Sequence, residues 1–478
     1  MLCNNETLLF RPETPELRSI MHLRPPAAET IAGVARALRA REETCVAVVE
    51  RCLAQIDAWE PEIHAWVSMD RDGARAQALE LDRDIGAGHW RGTLHGIPIG
   101  IKDLVDIAGR PTTAGASWLS QNAEADALIV ARLRAAGAII LGKTVTTQFA
   151  CFDPPPTRNP WNLERTPGGS SSGSAAAVAI GMCLGAIGSQ TGGSITRPAS
   201  FCGVAGCKPT YGLVPLKGVY PVSPSLDHGG PIARTVEDLG IVLETLVSPM
   251  DRLAWRAGHA AAPGSAVEFA VWSASPLSPL SPFPEAKTVR LGRLRGMFAE
   301  RADKTALTIF EQTLEKLSRE GAKITDAILP PAFDDVLRCH RVIMTVEIAK
   351  HHREMFKQRA DQYLPCIRGL IEEGLAVAPE EYARCKQHQL QLTHEMSAVF
   401  RDVDALVSPA ALGPAPATDS TGDPAFNSPW SYTHLPTISF PIGLSLDGLP
   451  LAMQLVGNSY DEVTLFAAAR WCERIALA

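Results

Sequence analysis

Residues 167–209 read PGGSSSGSAAAVAIGMCLGAIGSQTGGSITRPASFCGVAGCKP. Two Gly-Gly-Ser elements, Gly168-Gly169-Ser170 and Gly192-Gly193-Ser194, bracket a run of small and apolar residues. The run predicts a helix over 174–184 and a small strand over 186–189, and a further helix starts at 195. Glycine permits backbone conformations and close approaches that other residues do not. A Gly-Gly-Ser turn leading into a helix can therefore bring several N–H donors around one point, as an oxyanion requires. No other part of the chain is so biased, and the candidate active site is placed here.

Outward from this stretch, helical and strand periods alternate. Helices are predicted over 30–41, 43–59, 70–85, 125–136, 236–247, 304–320 and 462–475, where apolar residues recur at i, i+3 and i+4. Short apolar runs predict strands over 96–101, 138–141, 288–294, 324–329, 405–408, 437–444 and 451–455. Residues 333–400 read as mostly helical with breaks. Such alternation argues an α/β fold, a mixed central sheet covered on both faces by helices. Residues 1–27 are irregular, 248–286 lose periodicity to Pro, Ser, Ala and Gly, and 409–429 form a Pro-rich loop. Length alone would suggest about three domains, yet no break divides the chain, and one domain over 1–478 is expected.

Composition narrows the function. The formal charge of −7 is spread without a basic stripe, which argues against a nucleic-acid partner. No apolar run reaches the roughly 18–20 residues of a membrane span. The first residues lack a basic segment followed by an apolar core, so no signal peptide is expected. The 11 cysteines are odd in number and scattered, as in a cytoplasmic protein with reduced thiols. The 12 histidines form no H-E-x-x-H and no metal-ligand spacing, so no metal and no cofactor are expected.

Two motifs match by pattern only. Residues 137–144, GAIILGKT, fit the phosphate-loop formula, but the spacer is apolar and reads as the strand itself. Residues 169–173, GSSSG, fit the nucleophile elbow at Ser171, but no strand pattern precedes them. What remains is a hydroxyl and a lysine. A serine is a poor nucleophile until a base takes its proton. Lysine becomes a base when burial disfavours its ammonium form. Lys102 follows the apolar run GIPIGI at 96–101 and can be held in the interior. Alone, Lys102 reads as a surface lysine and a Gly-Gly-Ser as a loop. The case for Ser194 with Lys102 rests on their combination.

Taken together, segments at 96–109 (GIPIGIKDLVDIAG), 136–144, 158–162 (RNPWN), 167–181, 188–214, 225–235 (SLDHGGPIART) and 435–457 resemble the amidase signature family, in the family's order. They span about residues 60–245 and 405–475. The resemblance implies a Ser–cis-Ser–Lys triad, with Ser194 as nucleophile, Ser170 as bridging serine on a cis peptide, and Lys102 as base. It implies an oxyanion hole from the backbone N–H groups of Thr191, Gly192, Gly193 and Ser194. The function it implies is stand-alone hydrolysis of small amides, with aryl amides, carbamates and urea-like compounds as candidate substrates. The alternatives are a glutamine-hydrolysing or non-catalytic subunit of an amidotransferase-type complex, or a Ser-His-Asp esterase using Ser171. A homodimer is compatible with either hydrolase. The chain departs from the family where an Asp usually precedes T-G-G-S and an Arg lies two residues beyond the serine. Here Gln190 and Thr196 stand there, with Arg197 one step later. A charged pair is thereby expected to be replaced by a neutral one. Residues 248–286 and 300–400 match the family least and are expected, with 409–429 and Trp430, to shape the substrate entrance.

Overall fold

The computed structural model describes residues 29–248, 250, 283, 286 and 288–478. The expected tail at 1–27, and all of 248–286 but four residues, lie outside the described residues. The centre is an 11-stranded mixed sheet. In chain order its strands are β1 (Trp66–Met69), β2 (Pro98–Lys102), β3 (Ile139–Thr144), β4 (Gly185–Gln190), β5 (Ala205–Lys208), β6 (His228–Ala233), β7 (Arg290–Arg293), β8 (Lys323–Asp326), β9 (Ala405–Pro409), β10 (Thr437–Leu444) and β11 (Pro450–Val456). Their spatial order is β1-β3-β2-β4-β6-β5-β10-β11-β9-β7-β8.

Strands β3, β2 and β4 are mutually parallel and buried along their whole length. That explains why GIPIGI and GAIILG are continuous apolar runs rather than alternating ones. From β4 through β6, β5, β10, β11 and β9 the pairing is antiparallel. At the far edge β8 exposes Lys323 and Asp326, charges that discourage another chain from pairing there. Strands β1, β5 and β6 escape the sequence reading because each is short or rich in glycine and polar residues.

Successive residues of a strand face opposite sides. Val407 and Leu455 accordingly join one apolar core, and their neighbours Leu406 and Val456 the other. The first core is closed by helices that include Ile31–Ala40, Cys45–Ile63, Val236–Leu246, Lys304–Arg319 and Glu462–Leu477. The second is closed by Val336–Arg359, Pro365–Ala376 and Pro379–Met396, into which the 333–400 segment divides. Each of the last two helices begins at a proline, which sits without cost in a first turn. The side chains of Thr30, Thr44, Asp70, Thr235, Asp303 and Asp461 cap the helices that follow them.

The small-residue run of the opening stretch has a packing cause. Helix Ser172–Ala179 is buried on every side, and it ends well before 184. A Cβ on Gly173 would lie 2.1 Å from the Ala65 carbonyl and 2.5 Å from the Val145 nitrogen. Only small residues let this helix sit so close to backbone on several sides.

Candidate active site

Parallel pairing of β2 with β4 sets Ile101 beside Ile187, so the C-terminal ends of both strands emerge together. Lys102 closes β2 and is fully buried. Its Nζ lies 2.7 Å from Ser170 Oγ and 2.9 Å from Ser189 Oγ. No carboxylate is among these partners. Burial therefore drives the Lys102 pKa well below its ordinary value, only partly opposed by the charge of Asp227. Asp227 is buried too, and desolvation lifts its carboxyl to about 6. Its oxygens accept from Thr191 Oγ1 at 2.6 Å and from the Val222 and Ser223 amides.

Ser170 follows Gly169 across a cis peptide, the one cis bond among the described residues. A Cβ on Gly169 would meet Thr421 Cγ2 at 2.9 Å, so the approach of the 409–429 loop reserves this position for glycine. Arg197 Nη2 donates to the Gly169 carbonyl at 2.8 Å.

Ser194 is partly exposed, whereas Thr191, Gly192 and Gly193 are buried. Ser194 and Ser170 line one narrow cavity together with the three residues of the turn. Three successive carbonyls of the turn are tethered away from one another's amides. His340 Nε2 donates to Thr191 O at 3.0 Å, Ser431 Oγ to Gly192 O at 3.1 Å, and the Arg197 amide to Gly193 O at 3.0 Å. In a trans peptide the N–H points opposite to the C=O. Holding these carbonyls therefore aims the amides of Gly192, Gly193 and Ser194 in directions the surrounding residues have fixed.

The neutral substitution expected at Gln190 has a definite geometry. Gln190 Oε1 accepts from the amides of Ile195 (2.8 Å) and Thr196 (3.1 Å) and from Thr196 Oγ1 (3.2 Å). One amide oxygen thus satisfies the first turn of helix Thr196–Phe201 without a buried charge.

The pattern-only motifs lie elsewhere. Lys143 is sealed in the core, with Nζ 2.8 Å from Asp103 Oδ1 and 2.6 Å from the Val105 carbonyl. Ser171 is fully buried, and its hydroxyl meets the backbone of Ser189 at 3.4 Å. Trp430, expected near the entrance, is instead fully buried and stacks on Phe298. Bulk and aromaticity made it a core residue. The neighbouring loop does contribute, since Thr421 and Pro424 line the cavity, as does Met344 of the helical segment.

Sequence reasoning missed Ser189, Asp227, His340 and Ser431, which the structure sets against Lys102 and the 191–192 backbone and side chains. Asp227 lies in the quoted SLDH segment, and Ser189 precedes Gln190, so proximity in the chain was a usable signal for both. His340 and Ser431 arrive through tertiary packing from segments with no motif. No described helix is long and apolar enough to cross a membrane.

The amidase family model matches residues 47–466. An amidase of Pseudomonas putida is 35% identical over 462 residues, covering 92% of this chain and 94% of that protein. A glutamyl-tRNA(Gln) amidotransferase subunit from Anaeromyxobacter dehalogenans is 34% identical over 491 residues, covering 93% and 95%. The structure of a peptide amidase from Stenotrophomonas maltophilia superposes with a TM-score of 0.78 at 28% identity, covering 95% and 98%. With a buried lysine, two serines on one cavity and a match along nearly its whole length, the chain belongs to the amidase signature family and is an amidohydrolase of C–N bonds.

Proposed function

We propose that the chain is a stand-alone serine hydrolase that cleaves small linear amides through an acyl-enzyme on Ser194. The observation that carries this reading is the fully buried Lys102 amine 2.7 Å from Ser170 Oγ, with Ser194 on the same cavity. Neutral Lys102 takes the Ser170 proton as Ser170 takes that of Ser194. Ser194 Oγ then attacks the carbonyl carbon. The oxyanion is held by the amides of the 191–194 turn, each worth about 3 kcal/mol in the transition state. Ser170 returns a proton to the leaving nitrogen, the C–N bond breaks, and an amine departs. Water attacks the ester by the same relay and releases a carboxylic acid. Ser189, the second hydroxyl on Nζ, fixes the direction of the amine.

Carbamates and urea-like compounds present the same carbonyl to the same groups and fall within this reading. Tethering of the turn from within the chain, by His340 and Ser431, supports action without a partner. The test is a screen of short aliphatic amides, anilides and aryl carbamates, with a fluorophosphonate probe as label. Wild type should hydrolyse members of the panel and carry the label on Ser194. Ser194→Ala should be folded, unlabelled and inactive. Full activity in that variant would sink the assignment. Activity lost in Ser171→Ala but kept in Lys102→Ala would favour the esterase alternative.

A further inference from the structure

Beside the serine cavity lies a second and larger one, of about 320 Å³, built from the 211–224 segment, Ser189 of β4 and the residues that open β6. Its mouth is at Gly212 and Pro224, which are exposed, and its floor is Ser189, Asp227 and His228, which are buried. Val214, Leu216, Val219 and Val222 make its walls apolar. Neither Lys102 nor Ser170 nor Ser194 lines it, so it is not the space in which Ser194 meets a carbonyl. No lysine or arginine lines it either. His228 Nδ1 donates to the Leu226 carbonyl at 2.7 Å, and burial keeps the ring neutral. Asp227 keeps 8% of its surface and is an anion above about pH 6, so the floor is negative. Apolar walls, a few polar groups at one end and this volume are the ordinary make-up of a small-molecule site. The floor also reaches the lysine from behind. Ser189 Oγ lies 2.9 Å from Lys102 Nζ, and Asp227 Oδ1 accepts from Thr191 Oγ1 at 2.6 Å.

We infer that this cavity is a second ligand site, that it takes a small primary amine carrying an apolar ring or chain, and that the bound ammonium acts on Lys102 through Asp227. An apolar cavity of about 150 Å³ admits benzene. The space here therefore accommodates a ring with a short arm. The ring covers the valines and Leu216, and the ammonium meets the Asp227 carboxylate in a charge-assisted bond. The effect on catalysis rests on the proposed role of Lys102 as base. The charged and titratable groups that face Lys102 are Asp227, Cys151 and Arg197. Those that face Asp227 are Lys102, Glu347, Tyr211 and Cys151. Burial raises the Cys151 thiol, which stays protonated, so Asp227 is the anion that favours the Lys102 ammonium. A cation bound at Asp227 cancels that field and adds a like charge near Lys102. Lys102 then stays neutral to lower pH.

The experiment titrates phenethylamine and its neutral isostere 2-phenylethanol into wild type, Asp227→Asn and Val219→Trp by calorimetry at pH 8. Wild type should bind one phenethylamine, about 10–100-fold tighter than the alcohol, as expected for a hydrogen bond to a charged group. Asp227→Asn should bring that ratio to near unity. Val219→Trp fills the cavity and should bind neither compound, while its kcat on a hydrolysed amide stays within about threefold of wild type. The ratio in Asp227→Asn is read independently of whether Val219→Trp folds. In kinetics, saturating phenethylamine should move the acid limb of kcat/KM to lower pH, and 2-phenylethanol should leave it in place. Equal affinity for the two compounds in wild type, no binding of either, or an acid limb that phenethylamine does not move would overturn the inference. So would inhibition competitive with the amide that persists unchanged in Val219→Trp, since the amine would then occupy the serine cavity. Calorimetry needs no turnover, so failure of the Ser194 chemistry appears separately, as an active Ser194→Ala.

Discussion

Gly193→Ala tests whether the fixed turn matters to the chemistry. A Cβ at residue 193 would lie 2.7 Å from Asn427 Oδ1, 3.0 Å from its Cβ and 3.1 Å from its Cγ. The first of these is about 0.7 Å short of an ordinary 3.4 Å contact. Asn427 cannot retreat. It is fully buried, and its Nδ2 is held by the Ala410 carbonyl at 2.8 Å and by Gln454 Oε1 at 3.2 Å. Gln454 is itself fixed by Ser408 and Phe426. The turn must yield instead, carrying the Gly193 and Ser194 amides with it. Oxyanion donors work within a window of about 2.7–3.1 Å, and losing one costs about 10²–10³ in kcat. At Gly192 the same change meets Ser428 Oγ at 3.2 Å and nothing else nearer than 3.6 Å. Gly192→Ala should therefore lose no more than about tenfold, a fraction of one donor. Overpacking costs about 1–3 kcal/mol of stability, so both variants should fold, which circular dichroism will check. Steady-state kcat on a hydrolysed amide, with the labelling rate of Ser194, reads the outcome. Equal losses at 192 and 193, or a kcat for Gly193→Ala within about threefold of wild type, would refute the reasoning.

Three further outcomes follow from the same geometry. Asp227→Asn keeps a partner for Thr191 Oγ1 but removes the anion that favours the Lys102 ammonium, so neutral Lys102 persists to lower pH. The acid limb of kcat/KM should move to lower pH, and a shift to higher pH would contradict Lys102 as the base. His340→Phe removes the donor to Thr191 O and should lower kcat about tenfold with KM little changed, while His340→Gln recovers much of the loss. A KM effect alone would assign His340 to substrate contact rather than to positioning the turn. Glu473 is buried, and desolvation raises its carboxyl to about 8. Between its ordinary 4.5 and 8 the folded state holds a proton that the unfolded state has released, so stability falls as pH rises through that window. Glu473→Gln should raise the Tm at pH 8 more than at pH 5, as differential scanning calorimetry would show; an equal change at both pH values would contradict a titrating Glu473.

Strands buried on both faces announced themselves as apolar runs, and Lys102 was found because it ends one of them. Gly-rich turns were visible for the same reason, since few residues tolerate such close backbone approach. Strands β5 and β6 were not visible, because they are stabilised by pairing with β10 and β4 rather than by their own pattern. His340 lies in a helix whose sequence is ordinary, and only the packing of Val336–Arg359 over the turn gives it a partner. Trp430 misled in the opposite direction, because a large aromatic side chain beside a loop is equally at home in a core.

The exchange at position 190 bears on the charge around the turn. The resemblance gives the family an Asp before T-G-G-S, and with it a negative charge beside the nucleophile. Here Gln190 Oε1 makes the same kind of contact to Ile195 and Thr196 while remaining neutral. The helix start is satisfied by a neutral group, and Arg197 in the first turn of that helix bonds the Gly169 carbonyl through Nη2. Gln190→Glu would keep an acceptor for those amides and add a negative charge to the buried surroundings of Lys102 and Arg197. The acid limb of kcat/KM should then move to higher pH, because the Lys102 ammonium is favoured by a nearby anion. A variant whose acid limb stays in place would show that the neutral residue at 190 has no bearing on the charge state of Lys102.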